Sequence, residues 1–230
     1  MVEIVAEISG NHGGNKDKML DMIFEAADCG CDYAKFQFYR PEDMPDRHEG
    51  DNEAMYRKLM VPDSWLPDLF ACAKQAGIGL FASVFSVRAV ETLLEFPCPY
   101  IKFASPASTR LPEKTYWEMG QAINGRREII ASAVNLDSRP MPRIKIMLCP
   151  PGHPSIVYDL WEYRERFNPL YHFGYSDHTE TNNYWTALDF IDAGAKMIEK
   201  HFRIDDGCID AAFSADPQTM RLLCKLAHNR

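Results

Sequence analysis

The strongest constraint on this 230-residue chain is a regular alternation between two hydrophobic periods. Short β-rich runs recur at 2–8, 32–39, 78–83, 100–105, 127–132, 143–149, 170–176 and 195–201. Helical patterns separate most of them: NKDKMLDMIFEAADCG, DSWLPDLFACAKQAG, SVRAVETLLEF, LPEKTYWEMGQAING, SIVYDLWEYRERF and NYWTALDFIDAG. A further helical run, DPQTMRLLCKLAHN, closes the chain. Several of these stop at a glycine (Gly30, Gly77, Gly194), the usual signal just past a helix C-terminus. Strands that alternate with helices pair in parallel. Eight such units in this length predict an α/β fold, a (β/α)8 TIM barrel over 1–230 as a single domain, at the small end of its size range. A doubly wound open sheet is the alternative, but no G-x-G-x-x-G follows the first strand. One unit is irregular. Between REIIAS and RIKIMLC lies only AVNLDSRPMP, whose two prolines leave no room for a full helix, so the fifth helix is expected to be reduced to a loop.

In such a barrel the site is assembled at the C-terminal ends of the strands, and here those ends are polar. Strand one ends in Glu7, followed by Ser9, Asn11 and His12 in a glycine-rich loop. Strand two reads AKFQFY, and its period of two puts Lys35, Gln37 and Tyr39 on one face. Strand three ends at Ser83, strand four carries Lys102 and ends at Ser105, and strand five ends at Ser132. Strand seven delivers Ser176, Asp177 and His178, and strand eight delivers Glu199 and His201. Within FGYSDHTE, Asp177 and Thr179 also read as N-cap residues for the next helix.

Each of these residues has an ordinary structural reading: a snorkelling or paired lysine, a turn serine, a capping aspartate. Their joint placement at strand ends favours a site. Two lysines among several hydroxyls suit a phosphate and a carboxylate. Two histidines at neighbouring strand ends suit a divalent metal that keeps open positions; with carboxylates nearby, Mn²⁺, Fe²⁺, Co²⁺ or Zn²⁺ is chemically acceptable.

A formal charge of −8 and a pI near 5.4 argue against a general nucleic-acid binder but not against one small anion held by a few focused lysines. The apolar runs are far too short to span a bilayer, and MVEIVAEISG has no basic region of the secretory kind. Seven cysteines, an odd number scattered through apolar segments, read as reduced thiols of a cytoplasmic protein with no membrane or nucleic-acid partner.

The chain resembles the sialic acid synthase family, N-acetylneuraminate synthase and its relatives. The motifs AEISGNHGGNKDKMLDMI, AADCGCDYAKFQFY, YIKFASPASTRLP, GYSDHTE and GAKMIEKHF, with the weaker IDAAFSADP, run in the family's order over nearly the whole chain. The resemblance implies a (β/α)8 barrel that condenses phosphoenolpyruvate with the aldehyde of an N-acetylated amino sugar, releasing phosphate. It implies that Lys35, Ser83, Lys102, Ser105, Ser132 and Ser176 hold phosphoenolpyruvate. It implies His178 and His201 as metal ligands, for Mn²⁺ first and Mg²⁺, Co²⁺ or Zn²⁺ as alternatives. Glu7, Gln37 and Asp210 would face the sugar or the reacting water, so that Glu7, Lys35, Lys102, His178 and His201 make up the catalytic set. It also implies a homodimer and small-molecule substrates, phosphoenolpyruvate and an aldose.

Departures from the family pattern leave the phosphoenolpyruvate and metal residues mostly present and erode the sugar side. The C-terminal antifreeze-like domain is missing from the sequence, so its contact is expected from a separate subunit. CPPGHP stands where the family has Cys-x-Ser/Asn-x-Tyr-Pro, so Pro151 replaces a polar phosphoenolpyruvate contact and His153 replaces a tyrosine. Ala107 and Ala211 stand at acidic and histidine positions. These changes motivate two alternatives: a non-catalytic or partner-dependent sugar-binding barrel, and a synthase for another 3-deoxy-ulosonic acid. A sugar-phosphate acceptor for the latter would call on Arg40, Arg110 and Arg139 near strand ends.

Overall fold

The structure is a computed structural model that describes residues 2–135, 143–155 and 160–230. Eight parallel strands close into a barrel in sequential order: β1 Glu3–Glu7, β2 Tyr33–Phe38, β3 Gly79–Val84, β4 Tyr100–Phe103, β5 Glu128–Ala133, β6 Ile144–Leu148, β7 His172–Asp177 and β8 Met197–His201. The ring closes where β8 pairs with β1, Glu199 opposite Val5 and His201 opposite Glu7. The helices are α1 Lys16–Asp28, α2 Asn52–Leu59, α3 Leu66–Ala76, α4 Val87–Leu93, α5 Pro106–Thr109, α6 Glu113–Ile123, α7 Leu160–Glu165, α8 Trp185–Asp192 and α9 Pro217–His228. None of the helices among the described residues is long and apolar enough to cross a membrane. The loop expected between β5 and β6 falls mostly on 136–142, outside the described residues.

Strand β2 shows why the barrel has a polar inside at one end. Its period of two sends Ala34, Phe36 and Phe38 outward into the buried layer beneath the helices, while Lys35 and Gln37 point inward. On β7 the outward Tyr175 stacks on Phe190 of α8, ring centroids 3.8 Å apart at 7°. Burying two such rings contributes roughly 1.5–3 kcal/mol each. Helix α3 stops at Gly77, whose φ of +73° is the left-handed cap that glycine adopts without strain. Gly174 is required for a different reason: a Cβ there would collide with the carbonyl oxygen of Met197 on β8.

Two expectations need correction. Asp177 and Thr179 do not cap the helix after β7, because α8 begins only at Trp185 and Asn183 Oδ1 accepts the Thr186 N–H instead. Tyr39 does not continue the inner face of β2. The strand ends at Phe38, and Tyr39 turns into a small aromatic cluster with Phe85 and Tyr56. Helix α2 was not visible as an apolar stripe, since none of its residues is fully buried.

Candidate active site

A row of alternating charge crosses the barrel interior. Glu7, at the end of β1, forms a close ion pair with Lys35 on β2. Lys35 Nζ also donates to Ser83 Oγ at 2.9 Å and lies 3.6 Å from Glu199 Oε2. Glu199 Oε1 then accepts from Lys102 Nζ at 2.5 Å and from Ser176 Oγ at 3.0 Å. All four charged side chains are buried, where each would be costly alone and is tolerable only in company.

The order in the row sets each protonation preference. Burial pushes the Glu199 carboxyl up, but two lysines overcome it and hold it at about 2. Lys35 loses by burial and gains more from Glu199 and Glu7, so its ammonium is favoured above the ordinary value. Lys102 has one carboxylate and faces Lys35, so burial wins and its pKa is lowered. For Glu7 burial also wins over Lys35, and its carboxyl is raised. Among the described residues Glu7 Oε1 is buried without a hydrogen-bond partner. A carboxyl so placed holds a proton more readily than its neighbour Glu199.

Above the row stand two imidazoles, His178 just after β7 and His201 at the end of β8, with ring centroids 5.2 Å apart. His201 Nδ1 lies 2.9 Å from Asp210 Oδ2. Burial raises the Asp210 carboxyl, but the hydrogen bond and charge of His201 lower it by more, so Asp210 is the ionised acceptor. The proton of His201 therefore sits on Nδ1 and its Nε2 faces away from Asp210. Asp210 is itself anchored, its N–H donating to Asn11 Oδ1 at 3.0 Å. His178 is held well below the usual imidazole range, by burial first and then by the neighbouring His201 and His153. It is neutral, with a lone pair to give.

This donor set fits a catalytic metal with open positions. His178 and His201 could supply two imidazole nitrogens, with Asp210 orienting His201. Among the described residues no group of three His, Cys, Asp or Glu side chains is arranged to hold an ion, so a closed structural site does not fit.

The eleven residues to which the family resemblance gives a role line one cavity of about 250 Å³: Glu7, Lys35, Gln37, Ser83, Lys102, Ser105, Ser132, Ser176, His178, His201 and Asp210. Of the other strand-end residues Ser9 and Glu199 join them, and Asn11, His12, Tyr39 and Asp177 do not. Sequence reasoning gave Glu199 no role, and it missed Met44, Tyr56, Thr109, Cys149 and Phe213 in the wall. Met44 and Tyr56 arrive on the excursion between β2 and α3, where sequence reasoning placed no element. Their one signal is the length of chain between those elements. His153 joins the wall, its ring 4.3 Å from that of His178. Pro151 is exposed and outside the cavity, and Ala211 opens a short 3₁₀ turn beside it. Ala107 is on α5, with its side chain outside the described residues. Arg40 and Arg110 are spent on exposed pairs with Asp63 and Glu49 and do not reach the cavity wall. Arg139 lies outside the described residues.

The closed barrel with its charged row and paired imidazoles at the strand ends is the architecture of a (β/α)8-barrel enzyme. The chain belongs to the NeuB family, whose model matches residues 22–122 and 144–230. It is 30% identical to a pseudaminic acid synthase of Helicobacter pylori over 93% of this chain and 70% of that protein. It is 29% identical to the N-acetylneuraminate-9-phosphate synthase of Mus musculus, over 88% of this chain and 62% of the relative. In fold it is similar to the sialic acid synthetase of Leptospira borgpetersenii solved with citrate. That match has a TM-score of 0.79 at 22% identity and covers 99% of this chain and 83% of the other.

Proposed function

We propose that this chain condenses phosphoenolpyruvate with the aldehyde of an N-acetylated amino sugar, giving a 2-keto-3-deoxy sugar acid of the sialic type and phosphate. The observation that carries the reading is the convergence of two buried lysines, four serines and two imidazoles on one cavity at the strand ends. The names of the relatives, synthases of pseudaminic acid and N-acetylneuraminate 9-phosphate, support the same chemistry.

Lys35 and Lys102 bind the phosphate and carboxylate of phosphoenolpyruvate, with Ser83, Ser105, Ser132 and Ser176 as hydrogen-bond donors that fix its orientation. Their charge is already desolvated, so the anion meets a prearranged field and not a hydrated surface. Gln37 and Asp210, on the rim side of the row, face the sugar. Glu7 manages protons of the water that attacks the oxocarbenium-like centre after carbon–carbon bond formation. Its raised carboxyl and unpartnered oxygen support that role. His178 and His201 would hold a divalent metal, Mn²⁺ first. When bound, such an ion supplies Lewis acidity that polarises the aldehyde oxygen.

The test is incubation of the pure protein with Mn²⁺, phosphoenolpyruvate and a panel of aldoses, measuring phosphate release that depends on the sugar. Release with an N-acetylated amino sugar is expected. No sugar-dependent release with any aldose refutes the reading.

A further inference from the structure

Behind the imidazole pair, on the outer face of the barrel, lies a second charge pair that the proposed chemistry leaves unused. Asp177 and Lys200 are opposite each other in the β7–β8 ladder, and both side chains are completely buried. The outward neighbours on these strands are Ile198 and Tyr175, whose hydroxyl donates to Asp177 Oδ1 at 3.4 Å, and a buried pair of this kind is not by itself a source of stability. The bonds of Lys200 show what the charge does instead. Its Nζ donates to Asp177 Oδ2 at 3.1 Å, to the Thr179 carbonyl at 3.1 Å and to Thr179 Oγ1 at 3.3 Å. Asp177 Oδ1 accepts from Thr179 N at 2.8 Å and from Thr179 Oγ1 at 2.7 Å.

The residues on both flanks of His178 are thus tied to one ammonium, and that ammonium belongs to the residue immediately before His201. All three donors of Lys200 are committed, so the clamp has one geometry. We infer that Lys200 and Asp177 are positioning residues that fix the His178–His201 imidazole spacing, and with it the affinity of the site for a divalent cation. The inference rests on the metal role given to the two histidines above.

The experiment compares the parent chain with Lys200→Met/Asp177→Asn, which removes both charges together. Asparagine keeps an oxygen for the Thr179 N–H, while the tie from β8 to Thr179 is lost. Each protein is titrated calorimetrically with Mn²⁺ alone and, separately, with phosphoenolpyruvate alone. The variant is expected to melt cooperatively, to bind Mn²⁺ tenfold or more weakly, and to bind phosphoenolpyruvate within twofold of the parent. The last follows because Lys35 and Lys102 stand on the inner face, held by their own carboxylates. Mn²⁺ affinity within twofold of the parent overturns the inference. So does an equal loss for both ligands, which would mean general loosening. Should the double variant not fold, Thr179→Val, which removes only the hydroxyl contacts, carries the same comparison with a threefold loss expected. If the parent itself binds no Mn²⁺, the metal reading of the histidines falls separately. The crystal structure of the variant then decides the positioning claim: a changed imidazole separation supports it, and an unchanged 5.2 Å overturns it.

Discussion

Replacing Glu199 by glutamine tests the charged row at its centre. Glu199 is the only carboxylate that touches both lysines among the described residues, through Oε2 to Lys35 and Oε1 to Lys102. A carboxyl held at about 2 in place of its ordinary 4.5 carries about 3 kcal/mol of favourable interaction in its ionised form. The side chain is buried, so solvent screens little of this. Glutamine keeps the shape and one acceptor oxygen, but leaves Lys35 with Glu7 alone and Lys102 with no carboxylate. The expected loss of about 3 kcal/mol agrees with the cost of breaking a buried pair from one side. For a chain of this size it lowers the melting temperature by roughly 6–12 °C, read by scanning calorimetry in phosphate-free buffer. Inorganic phosphate should then raise the melting temperature more in the variant than in the parent, because the lysines lack a counterion that the anion supplies. The sign with pH is fixed as well. A depressed carboxyl contributes its stability above 4.5 and loses it as pH falls toward 2. The gap between parent and variant should close over that window. A variant that melts within about 2 °C of the parent at pH 7, or one that phosphate protects less, refutes the argument.

Other outcomes follow from the same geometry. Glu7 is raised, so the stability from its protonation is complete below 4.5 and is lost as pH rises. Glu7→Gln should abolish that decline in melting scans and lower kcat in the phosphate-release assay by about 10²-fold. Asp210→Asn loses the ionised acceptor that orients His201 and should weaken Mn²⁺ binding by about 10–100-fold in calorimetric titration. Phe190→Ala removes the ring stacked on Tyr175 and should cost about 3–5 kcal/mol in urea unfolding. Gly174→Ala sets a methyl against the Met197 carbonyl and should lower the melting temperature by circular dichroism, since β7 and β8 must part to admit it.

The barrel was legible because its signals are local. Alternation of periods, glycine stops and the two-residue period of AKFQF all lie within single elements, and they place Lys35 and Gln37 on the inner face correctly. The role of Glu199 was not legible for the opposite reason. It meets Lys102 across 97 positions of sequence, a contact that exists only once β8 closes on β1. Lys200 was hidden by its company, one of two lysines in AKMIEKH, and its partner sits on another strand. The capping role of Asp177 failed to a competing interaction: the same oxygen that accepts a helix N–H in a cap here accepts from Thr179. Asn183, unremarkable among TNN, accepts the Thr186 N–H at the start of the helix instead.

The lysines and carboxylates of the charged row stand on strands, while Asp210, His153 and Ala211 belong to the connections beyond them. A strand residue cannot change its aim without shifting a register shared with two neighbours. A connection can be rewritten residue by residue at small cost to the barrel. Under the proposed reaction, Lys35 and Lys102, assigned to the three-carbon donor, are locked into the closure of the sheet. Of the side chains assigned to the aldehyde, Gln37 is fixed on β2 in the same way, while Asp210 sits on a connection where a substitution costs the barrel little.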